Sequence, residues 1–315
     1  MQSRPRLLSQ GVLEKMVCRC GPITKDGAQA SYIPILREAD PSRLGICVAD
    51  NAGRVLKAGD AEETFSIQSI VKIVTFTCSL LDSGMDRVQE KVSVEPTHDG
   101  FNSIINLATK NDSKPLNPMI NAGSIACLPF VRGGTLADKS DRIVDFVKKM
   151  AGNPDIHVDE DIFQSERSAG SRNRALAYYM KSTDVIENHV DVEELLDAYF
   201  RTCSIRLSSV DLAKIALVYA NNGMNRTDGV ELFPKEIARM IKATMVMCGV
   251  YDESGEVATR IGLPTKSGVG GGILSIVPNQ MGIGIYGPAL NAKGSSVAGL
   301  ALLEMLSAYM DASIF

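Results

Sequence analysis

Thr64-Phe65-Ser66-Ile67-Gln68-Ser69-Ile70-Val71-Lys72-Ile73-Val74 contains Ser69-Ile-Val-Lys72, the only Ser-x-x-Lys in the chain. From Ser69 to Ser83 nearly every side of the helical period is apolar: Ile70, Val71, Ile73, Val74, Phe76, Cys78, Leu80, Leu81. Such a pattern predicts a helix in the middle of the protein, with Gly84 as its stop. Ser69 and Lys72 then stand one turn apart on one face. Burying a hydroxyl and an ammonium there is costly unless both have partners. Two readings follow. One is a serine nucleophile with a lysine base. The other is a serine near the helix start with a snorkelling lysine.

Upstream, Leu44-Gly-Ile-Cys-Val-Ala49 and Arg54-Val-Leu-Lys57 flank Asp50-Asn51-Ala52-Gly53 and predict a hairpin. Residues 7–20 form an amphipathic helical pattern that ends at Gly21. An irregular link with Pro22, Pro34 and Pro41 follows, and Ser31-Tyr32-Ile33 is extended ahead of Pro34. Downstream, helical periods dominate from about 100 to 250. One run follows Asp138-Lys-Ser-Asp141 and stops at Gly152. Others cover Ser171–Lys181 and Asp191–Cys203, a fourth opens at Ser208, and Pro234 opens a fifth. Phe130–Leu136, with Gly133-Gly134, reads as a loop. Beyond 250 the texture reverts: a turn-rich Gly249–Gly255, a glycine-dense Lys266–Gly272, and strands at Ile273–Val277 and Met281–Tyr286. A last helix runs from about Gly294 to Tyr309. Strands at both ends around helices predict an α/β (α+β) chain. Residues 1–65 and 250–315 form the sheet domain and 66–249 a helical insertion, with the site in the cleft between them.

The 315 residues suit two subdomains. A net charge of −4 offers no electrostatic case for nucleic acid or an anionic membrane. The N-terminal apolar run is too short for a secretory signal, and the apolar run Val297–Met310 is interrupted by Glu304. Seven scattered cysteines, most inside apolar runs, read as buried thiols in a reducing cytoplasm. Cys18-Arg-Cys20 is the only close pair, and no second Cys or His pair stands near it, so neither metal nor cofactor is expected. His98, His157 and His189 sit in polar contexts without ligand spacing, which favours a lysine over a histidine as base.

Ser69-Ile-Val-Lys72 followed much later by Lys266-Ser267-Gly268, with helices between, resembles the serine β-lactamases and penicillin-binding proteins. Six motifs narrow the match: Phe65–Lys72, Pro118-Met-Ile-Asn-Ala-Gly123, Ser165-Glu166 with Arg172-Asn173, Tyr199-Phe-Arg-Thr-Cys-Ser204, Met247–Gly255 and Gly262–Gly272. In this order they resemble the β-lactamase-like glutaminases, which hydrolyse L-glutamine to L-glutamate and ammonia. The resemblance runs from about Tyr32 to the C-terminal helix. It implies a β-lactamase-like fold, an antiparallel sheet flanked by helices with an all-helical insert. It also implies a homo-oligomer, dimer or tetramer.

The resemblance further implies Ser69 as nucleophile, Lys72 as its base and Tyr251 as a proton shuttle. Lys72 serves only when neutral, so its pKa must fall below the roughly 10.4 of free lysine. The N–H groups of Ser69 and Val269 are the implied oxyanion donors, and Gly268 and Gly270 permit close backbone approach. Glu166 is the implied partner of the substrate ammonium. Asn121, Asn173, Tyr199 and Tyr32 complete the contacts to the amino-acid head. Lys266, a carboxylate binder in the wider superfamily, stays outside this set. A structural ion pair or a second cation beside Lys72 are its two readings. Two alternatives differ in class. A β-lactamase or transpeptidase would turn over a cephalosporin and release no ammonia from glutamine. A non-catalytic amino-acid-binding protein would bind glutamine without turnover.

Overall fold

The computed structural model describes residues 7–96, 114–226 and 228–315. Helix α1 (Gln10–Cys20) precedes strands β1 (Gly45–Asp50), β2 (Val55–Gly59) and β3 (Thr64–Ser66). Helices α2 (Val71–Ser83), α3 (Met85–Lys91), α4 (Asn121–Cys127) and α5 (Leu136–Ala151) lead to β4 (His157–Val158). Next come α6 (Glu160–Ala169), α7 (Ser171–Ser182), α8 (Val192–Cys203), β5 (Ile205–Ser208) and α9 (Ser209–Ala220). Strands β6 (Met224–Asn225) and β7 (Val230–Glu231) pair ahead of α10 (Lys235–Cys248) and α11 (Ser254–Arg260). Strands β8 (Thr265–Ser267), β9 (Gly272–Val277) and β10 (Met281–Tyr286) and helix α12 (Val297–Met310) close the chain.

Five strands form one sheet in the order β2-β1-β10-β9-β8, each pair antiparallel. The first and last segments of the chain therefore share one sheet. Its two faces follow from the period of two along β10. Ile283 and Ile285 join Leu13 of α1 and Leu302, Leu303 and Leu306 of α12 in one apolar core. Gly282 and Gly284 face the other way. A Cβ at these positions would stand 2.1 Å from the carbonyls of Ala213 and Ser209, so only glycine lets α9 lie this close to the sheet.

A second core gathers around α2. Every residue from Val71 to Leu80 is buried, among Ile125, Val147, Leu195, Phe200 and Ile241 from the surrounding helices. The all-round apolar pattern is thus satisfied by helices on several sides, as expected of a central helix.

Three local outcomes differ from the sequence reading. The regular helix begins at Val71, and Ser69 sits just before it in a 3₁₀ turn, Gln68–Ile70. Strand β3 pairs with β5, and the Ile67 amide donates to the Ile205 carbonyl at 2.8 Å, which keeps the chain extended up to the turn. Helix α5 starts ahead of Asp138, because Thr135 caps it in a reciprocal box with that aspartate. The turn-rich stretch after Gly249 continues directly into α11. His98 lies outside the described residues.

Candidate active site

Ser69 is 7% exposed, in the turn where β3 gives way to α2. The preceding Gln68 is buried and has a left-handed backbone, φ 49°, which is uncommon for a residue with a side chain. The glycine-rich loop after β8 packs directly on this turn. A Cβ on Gly270 would stand 2.4 Å from the Ser66 carbonyl. Gly270 therefore serves the approach of one loop to the other, bringing Val269 beside the serine's turn.

Lys72, in the first turn of α2, is wholly buried. Its Nζ donates to Asn121 Oδ1 at 2.6 Å and to the Met119 carbonyl at 3.2 Å. Asn121 Nδ2 in turn donates to Asn173 Oδ1 at 2.9 Å. Residues of α2, α4 and α7 thus form one chain of polar groups, and three of the predicted site residues stand in it. Burial drives the Lys72 amine down to about 8, while the Cys203 thiol and Glu166 oppose the fall. Burial is the first cause of the fall.

Glu166, on α6, is only 7% exposed, where the sequence alone reads as a solvated face. Burial pushes its carboxyl up to about 7, against a hydrogen bond with the Gln68 side chain and the attraction of Lys72. Lys72 and Glu166 therefore titrate toward each other, a lowered base and a raised acid within one enclosure.

Tyr251 also has a left-handed backbone, φ 46°. Burial raises its hydroxyl to about 12, while the neighbouring Ser69 and Ser267 side chains and the Val269 backbone counteract the rise. The tyrosine is thus coupled to the serine and to both flanks of the glycine-rich loop. Tyr199, on α8, is buried, packs edge-on against Phe200 at 5.7 Å and hydrogen-bonds the Cys203 thiol one turn on. Tyr32 lies at the rim. The residue is 53% exposed, while its hydroxyl end feels Tyr251 and Glu166, and burial of that end raises its pKa.

All the expected residues therefore gather around one turn, with Tyr32 outermost. Two further residues were not singled out from the sequence. Gln68 bonds Glu166, and only its adjacency to Ser69 marks it. Cys203 reads in the sequence as one more buried thiol, yet it stands among Lys72, Glu166 and Tyr199.

An antiparallel sheet flanked by helices, with Ser-x-x-Lys at the start of its central helix, defines a hydrolase-type scaffold of the β-lactamase-like class. The chain belongs to the glutaminase family, whose model matches residues 27–315. A glutaminase of Clostridium tetani is 48% identical over 308 residues, covering 98% of this chain and all of the relative. Glutaminase 2 of Clostridium perfringens is 45% identical, covering 96% and 99%. A Bacillus subtilis glutaminase in covalent complex with 5-oxo-L-norleucine superposes with a TM-score of 0.89 at 35% identity, covering 97% and 99%. The chain is accordingly an amidohydrolase.

Proposed function

We propose that this chain hydrolyses the side-chain amide of L-glutamine through an acyl-enzyme on Ser69. The observation that carries the reading is Lys72, wholly buried and held by two carbonyl oxygens with its pKa near 8. A neutral amine has two N–H donors and one lone pair. Asn121 and Met119 accept from the amine, and its lone pair is the group that takes the Ser69 proton. Serine Oγ then adds to the amide carbon, and the N–H groups of Ser69 and Val269 receive the oxyanion. Tyr251 passes a proton to the departing ammonia, and water attacks the ester by the same route in reverse, yielding glutamate.

Binding follows from the unmatched charges. The substrate ammonium gives Glu166 the counter-charge that burial denies it. Asn121, Asn173, Tyr199 and, from the rim, Tyr32 hydrogen-bond the amino-acid head. The Bacillus subtilis relative supports a nucleophile, since its covalent complex formed by reaction with 6-diazo-5-oxo-L-norleucine. We read residues 1–65 and 250–315 as the sheet domain and 66–249 as the helical domain, with the site in the cleft between them. The two separate apolar cores support this division. Seven free thiols support a cytoplasmic location. A homo-oligomer, dimer or tetramer, follows from the family and is read by light scattering.

Peptide mass spectrometry after reaction with 6-diazo-5-oxo-L-norleucine tests the nucleophile. The adduct is expected on Ser69, and an adduct on any other residue overturns the assignment. A coupled glutamate assay on glutamine and asparagine side by side tests the substrate.

A further inference from the structure

Lys266 is wholly buried on β8, and no step above uses it. Its Nζ donates to the Ser267 carbonyl at 2.5 Å and lies 4.7 Å from the centre of the Tyr251 ring. Burial and the nearby Lys72 drive its amine well below the ordinary lysine range, and among the described groups only the Cys248 thiol pulls the other way. Among the described residues no carboxylate acts on it, which speaks against the ion-pair reading of this motif. The second-cation reading keeps its footing, since Lys72 and Lys266 repel each other, but burial is the first cause of the fall at Lys72.

A buried amine without a counter-charge is costly, and a methionine of similar reach would cost less. Its geometry points to what it does instead. Tyr251 has a left-handed backbone at the head of a 3₁₀ turn, Tyr251–Glu253, outside any strand or regular helix that would fix its ring. Strand β8 meets that ring twice. The Ser267 side chain neighbours the hydroxyl and acts on its pKa, and the Lys266 amine lies against the ring, where N–H groups are attracted to the π face. The Ser267 carbonyl in turn holds the amine in place.

We infer that Lys266 is a positioning residue for the reaction, seating the Tyr251 ring so that its hydroxyl is aimed at Ser69. The inference rests on the reading of Tyr251 as proton shuttle, and the test separates the two. Kinetics and melting are measured for Lys266→Met, Tyr251→Phe and the double variant. Lys266→Met is expected to melt no lower than the wild type, since an unpaired buried amine is removed. Its kcat should fall at least about tenfold with KM within about threefold, and in the Tyr251→Phe background the same change should cost less than about twofold. Wild-type kcat in Lys266→Met, or an equal loss in both backgrounds, overturns the inference while leaving Tyr251 in its role. Wild-type kcat in Tyr251→Phe overturns the tyrosine reading, and the positioning role falls with it. Should Lys266→Met fail to fold, Lys266→Gln, which keeps an N–H for the ring, takes its place in the cycle. It is expected to recover most of the activity, and a loss that is the same with and without the Tyr251 hydroxyl overturns the inference.

Discussion

Helix α2 carries a buried charge at each end, and the fold treats the two in opposite ways. At the C-terminal end, both arms of Arg142 donate to Asp82 at 2.6 Å, and the Arg132 amide donates at 3.0 Å. Burial alone would raise that carboxyl, but these bonds outweigh it and hold the pKa below the usual value. At the N-terminal end, Lys72 faces carbonyl oxygens and is brought down to about 8, while Glu166 is pushed up to about 7. A charge whose hydrogen bonds are complete belongs to the architecture. A charge that burial pushes toward its neutral form is poised either to trade a proton or to meet a ligand of opposite sign.

This contrast can be broken by mutation. The largest effect is expected from Ser69→Ala, which should lower kcat for ammonia release by at least about 10⁴-fold while glutamate still binds. Retained turnover in the coupled assay would remove the serine from its role. Lys72→Ala should lose about 10³-fold or more, and a merely modest loss at neutral pH would demote it from base.

The pH profile sharpens the comparison further. Lys72 works when neutral and Glu166 when ionised, and rising pH favours both. The value of kcat/KM should therefore climb with pH through 7 to 8. Lowering the pH from 8.5 to 6.5 should reduce it by more than about tenfold. A profile flat across that window contradicts a base of the kind Lys72 provides.

The other end of α2 should respond in stability and hardly at all in rate. Asp82→Asn leaves Arg142 without its counter-charge and is expected to cost about 2 kcal/mol in denaturant unfolding, with kcat within about twofold. A rate effect larger than the stability effect would erase the distinction between the two ends. Smallest of all is the exposed pair of Arg260 with Glu304, 2.6 Å apart. Arg260→Ala should leave the melting temperature unchanged within error.

Ser69 and Lys72 were legible because they interrupt an otherwise apolar helical run, where any polar group stands out. Strands β9 and β10 were legible from apolar residues bounded by turns, and helix α9 from its Ser208 cap. Glu166 and Asn173 were not legible from local pattern. Each lies in a polar stretch that reads as surface, and only the family resemblance singled them out. Helix α6 buries Glu166 because it packs beside α8 and faces the Gln68 turn, an arrangement no local period encodes. The twist that places Gln68 and Tyr251 in left-handed backbone was equally invisible, since neither residue type favours that conformation.

The order of residues by itself determined that a helix apolar on all sides must lie at the centre, that strands from both termini must share a sheet, and that a serine and a lysine open that helix. Those conclusions follow from burial of apolar surface and from backbone periodicity, which act locally and leave a local trace. Only the tertiary structure decided which polar groups are denied water. It decided that Lys72 donates to Asn121, that Glu166 is enclosed with it, and that Lys266 lies against Tyr251. A group's pKa and partners depend on what surrounds it in space, and the residues that surround this site come from five separate helices, the turns that carry Ser69 and Tyr251, strand β8 and the loop after it.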